Sequence, residues 1–178
     1  MSEAYGFPNR ITSELVGELL NQEDFCKLLC YINEDSSVDL LSKPRPKPQD
    51  VIKKVFVGRR VDPVQTTSDV LTCIRVLSVR PVRQNSEVLK TVDIEVITIV
   101  HKDCLSTSHG ARDIALATSI CEALDKKRLG GIGDCQIVGI TDLTGLPTDY
   151  TGYLVLCRVS GFPKATLSIK NGDVNIQW

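Results

Sequence analysis

TVDIEVITIVHKDCLSTSHGARDIALATSICEALDKK, from Thr91 to Lys127, is the stretch on which the fold turns. Its first half alternates: Val92, Ile94, Val96 and Thr98 point one way, Asp93, Glu95, Ile97 and Ile99 the other. A period of two in a run rich in β-branched residues predicts a long strand with at least one buried face. A short polar run follows, and then Ile114, Ala117, Cys121 and Leu124 recur at helical spacing. Ser106, Thr107 or Ser108 is placed to accept the unpaired N–H groups of the first helical turn. The unit is a strand feeding an amphipathic helix that must lie on a sheet, and nothing in it is plainly catalytic.

Upstream, VLTCIRVLSVR (Val70 to Arg80) also alternates, with Leu71, Cys73, Leu77 and Val79 on one face and Ile74 and Val76 on the other. It is expected to pair with the central strand as an antiparallel hairpin. Downstream, Gly130-Gly131-Ile132-Gly133 is expected to stop the helix. Cys135 to Ile140 and Tyr153 to Ser160 read as two more strands. Leu167 to Lys170 and Val174 to Trp178 flank Asn171-Gly172, the strongest short hairpin signal. Near the N-terminus, Leu15, Val16, Leu19 and Leu20 share one helical phase, while Phe25, Cys26, Leu28, Leu29 and Ile32 share another. Two helices bent at Asn21-Gln22 explain that shift. SKPRPKP (Ser42 to Pro48) favours an extended, polyproline-type segment, either a solvated connector or a basic arm laid on a neighbour. Val51 to Val57 reads as a short strand or turn.

The expected fold is α+β: an antiparallel sheet of about four strands with a central helix packed on it. One domain spans residues 1–178, with N-terminal helices over about 12–33 and a Pro-rich arm over about 42–63. The core covers about 69–162 and a C-terminal hairpin about 165–178. Apolar residues at 42% and charged residues at 24% are the balance of a globular chain that can bury a core. A net charge of −1 supplies no global field toward nucleic acid or anionic lipid. The seven cysteines are odd in number, lack paired C-x-x-C spacing and follow no signal-peptide pattern. Cys73, Cys121, Cys135 and Cys157 fall at apolar positions and read as reduced core thiols. No apolar run has the roughly 20 residues needed to cross a bilayer.

His101, Asp103, Cys104 and His109 invite a Cys–His nucleophile reading, which needs a thiolate beside an oriented base. No local signature of such nucleophiles surrounds Cys104, and a polar HKD is equally what a strand leaving a sheet carries. A zinc site from the same residues lacks the second tight ligand pair that structural sites present. The Gly130–Gly133 run follows a helix, whereas a phosphate loop must precede one. No catalytic, cofactor or metal residue is therefore assigned. Basic residues cluster at Arg45 and Lys47 and at Arg59 and Arg60. With aromatics at 5%, these suit an acidic protein partner better than base stacking.

An exposed hairpin edge ending in Trp178 is poor design for a monomer and good design for a subunit that adds strands to a neighbour. VDIEVITIVHKD (Val92 to Asp103), RDIALATSICEAL (Arg112 to Leu124) and the spaced pair GGIGDCQIVGI and YTGYLVLCRVSGF resemble the tail terminator and neck proteins of tailed bacteriophages. NQEDFCKLLCY (Asn21 to Tyr31) resembles the leading helix of phage neck proteins. The resemblance implies a virion structural protein, assembled in the host cytoplasm, forming a ring expected to be hexameric. That ring caps the tail tube and joins it to the head connector without enzymatic chemistry or cofactor. Implied partners are other copies of the chain, the tail tube protein and the head connector or neck proteins. DNA is only passing cargo, and no membrane is involved. Arg45, Lys47, Arg59, Arg60, Asn171, Gly172 and Trp178 become contact candidates, and Asp93 and Glu95 candidates for an acidic lumen that repels phosphate. Rival readings are a stopper or adaptor ring, a small Cys104 enzyme and a monomeric ligand-binding domain.

Overall fold

A computed structural model describes residues 6–32, 37–58, 69–81, 90–129, 133–161, 166–170 and 173–177. Helices α1 (Gly6–Asn21) and α2 (Glu23–Cys30) come first. A 3-10 turn (Leu40–Ser42), the short helix α3 (Pro48–Ile52) and strand β1 (Val55–Val57) follow. Two long strands, β2 (Val70–Pro81) and β3 (Lys90–His101), lead through a second 3-10 turn and a small hairpin, β4 (Ser106–Thr107) with β5 (Gly110–Ala111), into α4 (Arg112–Leu124). The rest is β6 (Arg128–Leu129), β7 (Gly133–Asp142), β8 (Tyr150–Gly161), β9 (Thr166–Lys170) and β10 (Asp173–Gln177).

The main sheet has six strands in the order β1-β2-β3-β8-β7-β6 and curls into a half-barrel. Its centre is the expected antiparallel quartet β2, β3, β8 and β7. The count of four falls short because β1 pairs parallel with β2 over Thr72 to Ile74, and two-residue β6 pairs with the start of β7. Runs of two or three residues are too short to show a period. The terminal hairpin forms a separate two-stranded sheet, β9 with β10; Asn171, Gly172 and Trp178 lie outside the described residues.

β3, internal to the sheet, is buried on both faces from Val92 to Val100. Val92, Ile94, Val96 and Val100 join Val155, Cys157 and Val159 of β8 in the main core under the helices. Ile97 and Ile99 pack with Cys73 on the other face, against Phe56, Leu143, Tyr150 and Leu154. α1 contributes Ile11, Leu15 and Leu19, and α2 contributes Phe25, Leu28 and Leu29. Gln22, in extended backbone, separates them at the expected bend.

Three features of α4 differ from the sequence reading. Its buried stripe is Leu116, Ala117, Ile120, Ala123 and Leu124, while Ile114 is exposed and Cys121 half-buried. The phase is set by two polar residues that go inside, Arg112 and Asp113. The helix also takes no cap from Ser106, Thr107 or Ser108. Ala111 precedes it, and the Asp113 carboxylate accepts from the Ile114 N–H and from Thr151 Oγ1, each at 2.8 Å. α4 ends at Leu124, and the chain turns at Lys126 (φ 61°), ahead of the glycines expected to stop it.

Arg112 is the largest fully buried side chain. Its guanidinium donates to the carbonyls of Cys104 at 2.5 Å, Leu28 at 2.6 Å and Tyr31 at 3.1 Å. Leu28 lies in the last turn of α2 and Tyr31 just past it, where carbonyls have no intrahelical donor and the helix dipole favours a cation. Arg112→Met keeps the volume and orphans these acceptors. The expected loss is about 2–4 kcal/mol, read as a drop in Tm of roughly 10 °C. Gly152 offers a second check: a Cβ there would meet the Thr98 carbonyl oxygen at 2.0 Å. Gly152→Ala is expected to cost about 1–3 kcal/mol by overpacking. Gly139→Ala, with nothing within 4 Å of the added atom, should stay within about 0.5 kcal/mol in the same melts.

Candidate functional site

The face of the sheet opposite the helices carries a charged cluster at its β2–β3–β8 centre. Asp93 and Glu95 are 6% and 5% exposed, although no described helix covers that face. They are covered by arginines from both neighbouring strands. Arg75 reaches Glu95 at 2.8 Å, Arg158 Nε reaches Asp93 at 2.7 Å, and Arg80 also bonds Asp93. Ser78 Oγ donates to Asp93 at 3.0 Å. The side chains of Arg75, Arg80 and Arg158 remain 43%, 59% and 40% exposed. The acidic strip expected from Asp93 and Glu95 is therefore overturned: each carboxylate is buried and neutralised, and the groups presented to solvent are cations.

A β-bulge builds this cluster. Val76 pairs with Ile94 and Ser78 with Asp93, so Leu77 is the extra residue. The inserted residue shifts the phase of β2. Arg75 before the bulge and Ser78 and Arg80 after it then share the Asp93 face, and Val79 moves to the side of Val92. The sequence reading, which kept Leu77 and Val79 on one face with Cys73, missed this. The acids were visible in the alternation; their partners required the register.

The remaining sequence candidates separate. Arg45 donates to the Leu20 carbonyl, Tyr31 Oη donates to the Pro44 carbonyl at 2.8 Å, and Lys43 sits 5.1 Å from the Tyr31 ring centre. The Pro-rich segment is thus fastened to its own helices through these residues. Lys47 is exposed just before α3. Arg59 and Arg60 lie outside the described residues.

The His101–His109 region forms no catalytic pair. Cys104 is buried, and desolvation pushes its thiol up, away from the thiolate a nucleophile needs. His101 stacks edge-on against Tyr150 and accepts from the Asp103 N–H, while His109 bonds Asp39 at 2.8 Å. No disulfide joins any of the seven cysteines, and the thiols of Cys26, Cys30 and Cys121 are likewise raised by burial. Among the described residues, no group of three or more His, Cys, Asp or Glu side chains could hold a metal ion. Nor is any described helix long and apolar enough to cross a membrane. A shallow groove of about 490 Å³ runs between α2 and the exposed side of α4, floored by Leu28, Leu41 and Ala115 and edged by Asp24, His109 and Glu122.

Burial works to raise the Asp93 pKa, but hydrogen bonds from Arg158, Ser78 and Arg80 outweigh it and hold the carboxyl below its ordinary value. The unfolded chain therefore binds a proton before the folded one does. The stabilisation is complete above the ordinary aspartate pKa of about 3.9 and is lost as pH falls through the lower folded value. Asp93→Asn should be less stable than the parent at neutral pH, with the gap closing below about pH 4; denaturant melts across pH read this directly.

Against known proteins, the YomW family model matches residues 22–159, from the break between α1 and α2 to the last turns of β8. No curated protein matches the chain. The match takes in α2, α4 and the whole six-stranded sheet, and on that span the chain belongs to the YomW family, a family of phage type.

Proposed function

We propose that this chain is a structural subunit of the neck of a tailed phage, forming a ring that caps the tail tube and joins it to the head connector. The observation that carries the reading is the C-terminal hairpin, which makes its own two-stranded sheet and does not extend the six-stranded one. An isolated hairpin is marginally stable in water and gains most by pairing with another surface. A strand-adding arm on a rigid tile is what a ring subunit needs. The phage type of the family supports the setting. The buried Cys104 thiol and the dispersed histidines support binding over chemistry.

On this reading the partners are further copies of the chain, the tail tube protein and the head connector, with DNA as passing cargo. The ring is a hexamer located in the virion. The cationic surface over Asp93 and Glu95 removes the acidic-lumen idea, so that face is not assigned to the channel. The test is electron microscopy of the purified chain mixed with purified tail tubes. The expected result is a ring on one end of each tube. A variant ending at Gly161 should keep its circular-dichroism melt and lose capping. Tubes left bare at molar excess would overturn the reading, and binding to connectors alone would move the subunit to a stopper or adaptor position.

A further inference from the structure

Each end of the sheet is only partly closed. β1 covers β2 over Thr72 to Ile74, and β6 covers β7 at Gly133 and Asp134, with Lys126 and Lys127 bonding Cys135. Beyond these points, among the described residues, β2 from Arg75 to Pro81 and β7 from Gln136 to Asp142 have a strand on one side only. Such edges offer unpaired N–H and C=O groups, and monomeric proteins blunt them with lysine, proline or inward charge. Here they carry large exposed apolar side chains: Leu77 and Val79 on one, Val138 and Ile140 on the other. Leu77 and Val138 are each the extra residue of a bulge. A bulge ordinarily turns an edge away from partners, and here each bulge displays an exposed apolar residue, Leu77 on β2 and Val138 on β7.

The two edges are complementary. Because β2, β3, β8 and β7 are successively antiparallel, β2 and β7 run in opposite directions. A second copy set beside the first in the same orientation therefore brings its β2 antiparallel to β7. Opposing Ser78–Arg80 to Gly139–Thr141 puts Val79 against Ile140. Both lie on the helix-bearing face, since their register partners are Val92 and Val155. Arg80 then faces Gly139, beside which an added Cβ meets nothing within 4 Å. In this register β1 and β6 fall outside the overlap and obstruct nothing. Of charged residues, the open stretch of β2 carries only Arg75 and Arg80 and that of β7 only Asp142, so the two edges do not repel.

We propose that copies of this chain assemble by pairing the open stretch of β2 in one with the open stretch of β7 in the next, continuing the sheet from subunit to subunit. The contact joins two different edges, so it is heterologous and closes into a ring when the rotation per copy divides the circle. The inference deepens the ring reading above and rests on it for its biological setting.

Val79→Lys and Ile140→Lys, both at exposed positions, place a charge on one edge each. Size-exclusion chromatography with light scattering over a concentration series is expected to show an oligomer for the parent chain and monomers for either variant, with melts unchanged. Mixed together, the variants still offer one intact β2 edge and one intact β7 edge, so a 1:1 heterodimer that grows no further is expected. An oligomer that survives both substitutions, or a mixture that stays monomeric, overturns the edge pairing while leaving the ring reading standing. A parent chain monomeric throughout the series overturns the edge pairing as well, and the ring reading then stands or falls on tail-tube capping alone.

Discussion

The start of α4 is tied to the end of α2 by a buried cation. Arg112 enters the core without a carboxylate and is satisfied by three backbone carbonyls from two separate segments. Desolvation lowers its pKa, but guanidinium starts so high that the charge persists. A buried charge is tolerable only when fully hydrogen-bonded. The carbonyls past Cys104 and at the end of α2 must therefore converge on the start of α4, which fixes the angle at which both helices meet the sheet. Lys27 works in the same way one turn earlier. Its buried ammonium donates to the Leu41 carbonyl at 2.6 Å and pairs with Glu23, fastening the 39–42 turn to α2.

The opposite face of the sheet solves a different problem. A strand buried on both faces ordinarily reads as continuous hydrophobics, yet β3 places Asp93 and Glu95 among them. Ion pairs of this kind contribute little net stability, because desolvation offsets most of the attraction. Their clearer effect is on register. Slipping β2 by one residue against β3 would carry Ser78 and Arg80 away from Asp93 and leave a buried carboxylate with fewer donors. The bulge at Leu77 and the carboxylate at Asp93 thus enforce each other.

The periodic parts of this fold were legible in the sequence, and the non-periodic parts were not. The four long strands, the existence of α4, the bend at Gln22 and the terminal hairpin all follow from periods of 2 or 3.6 and from turn residues. β1 and β6 carry no period at their lengths, and a parallel partner cannot be inferred from neighbouring residues. The phase of α4 was misplaced because Arg112 and Asp113 look like surface residues until Leu28, Tyr31 and Thr151 supply their partners from far along the chain. The Pro-rich segment has extended backbone at Lys43 and Lys47 but starts the helix α3 at Pro48, and its tie to Leu20 through Arg45 depends on a contact across 25 residues. Of the charged cluster, alternation revealed the two acids, and only the bulge revealed which arginines cover them.

What remains is to ask which surfaces are unexplained by the demands of folding. The buried cations, the double-faced strand and the neutralised carboxylates each complete the monomer. Four large apolar side chains on two open sheet edges do not, since exposing them is unfavourable and a lysine at any of the four would protect the edge. A detached two-stranded hairpin does not either. The four side chains lie on the two lateral strands of the long antiparallel quartet, β2 and β7. A chain that displays large apolar side chains on both lateral strands of its sheet is suited to extending that sheet into another copy, and that disposition, more than any side-chain chemistry, supports reading it as one tile of a larger assembly.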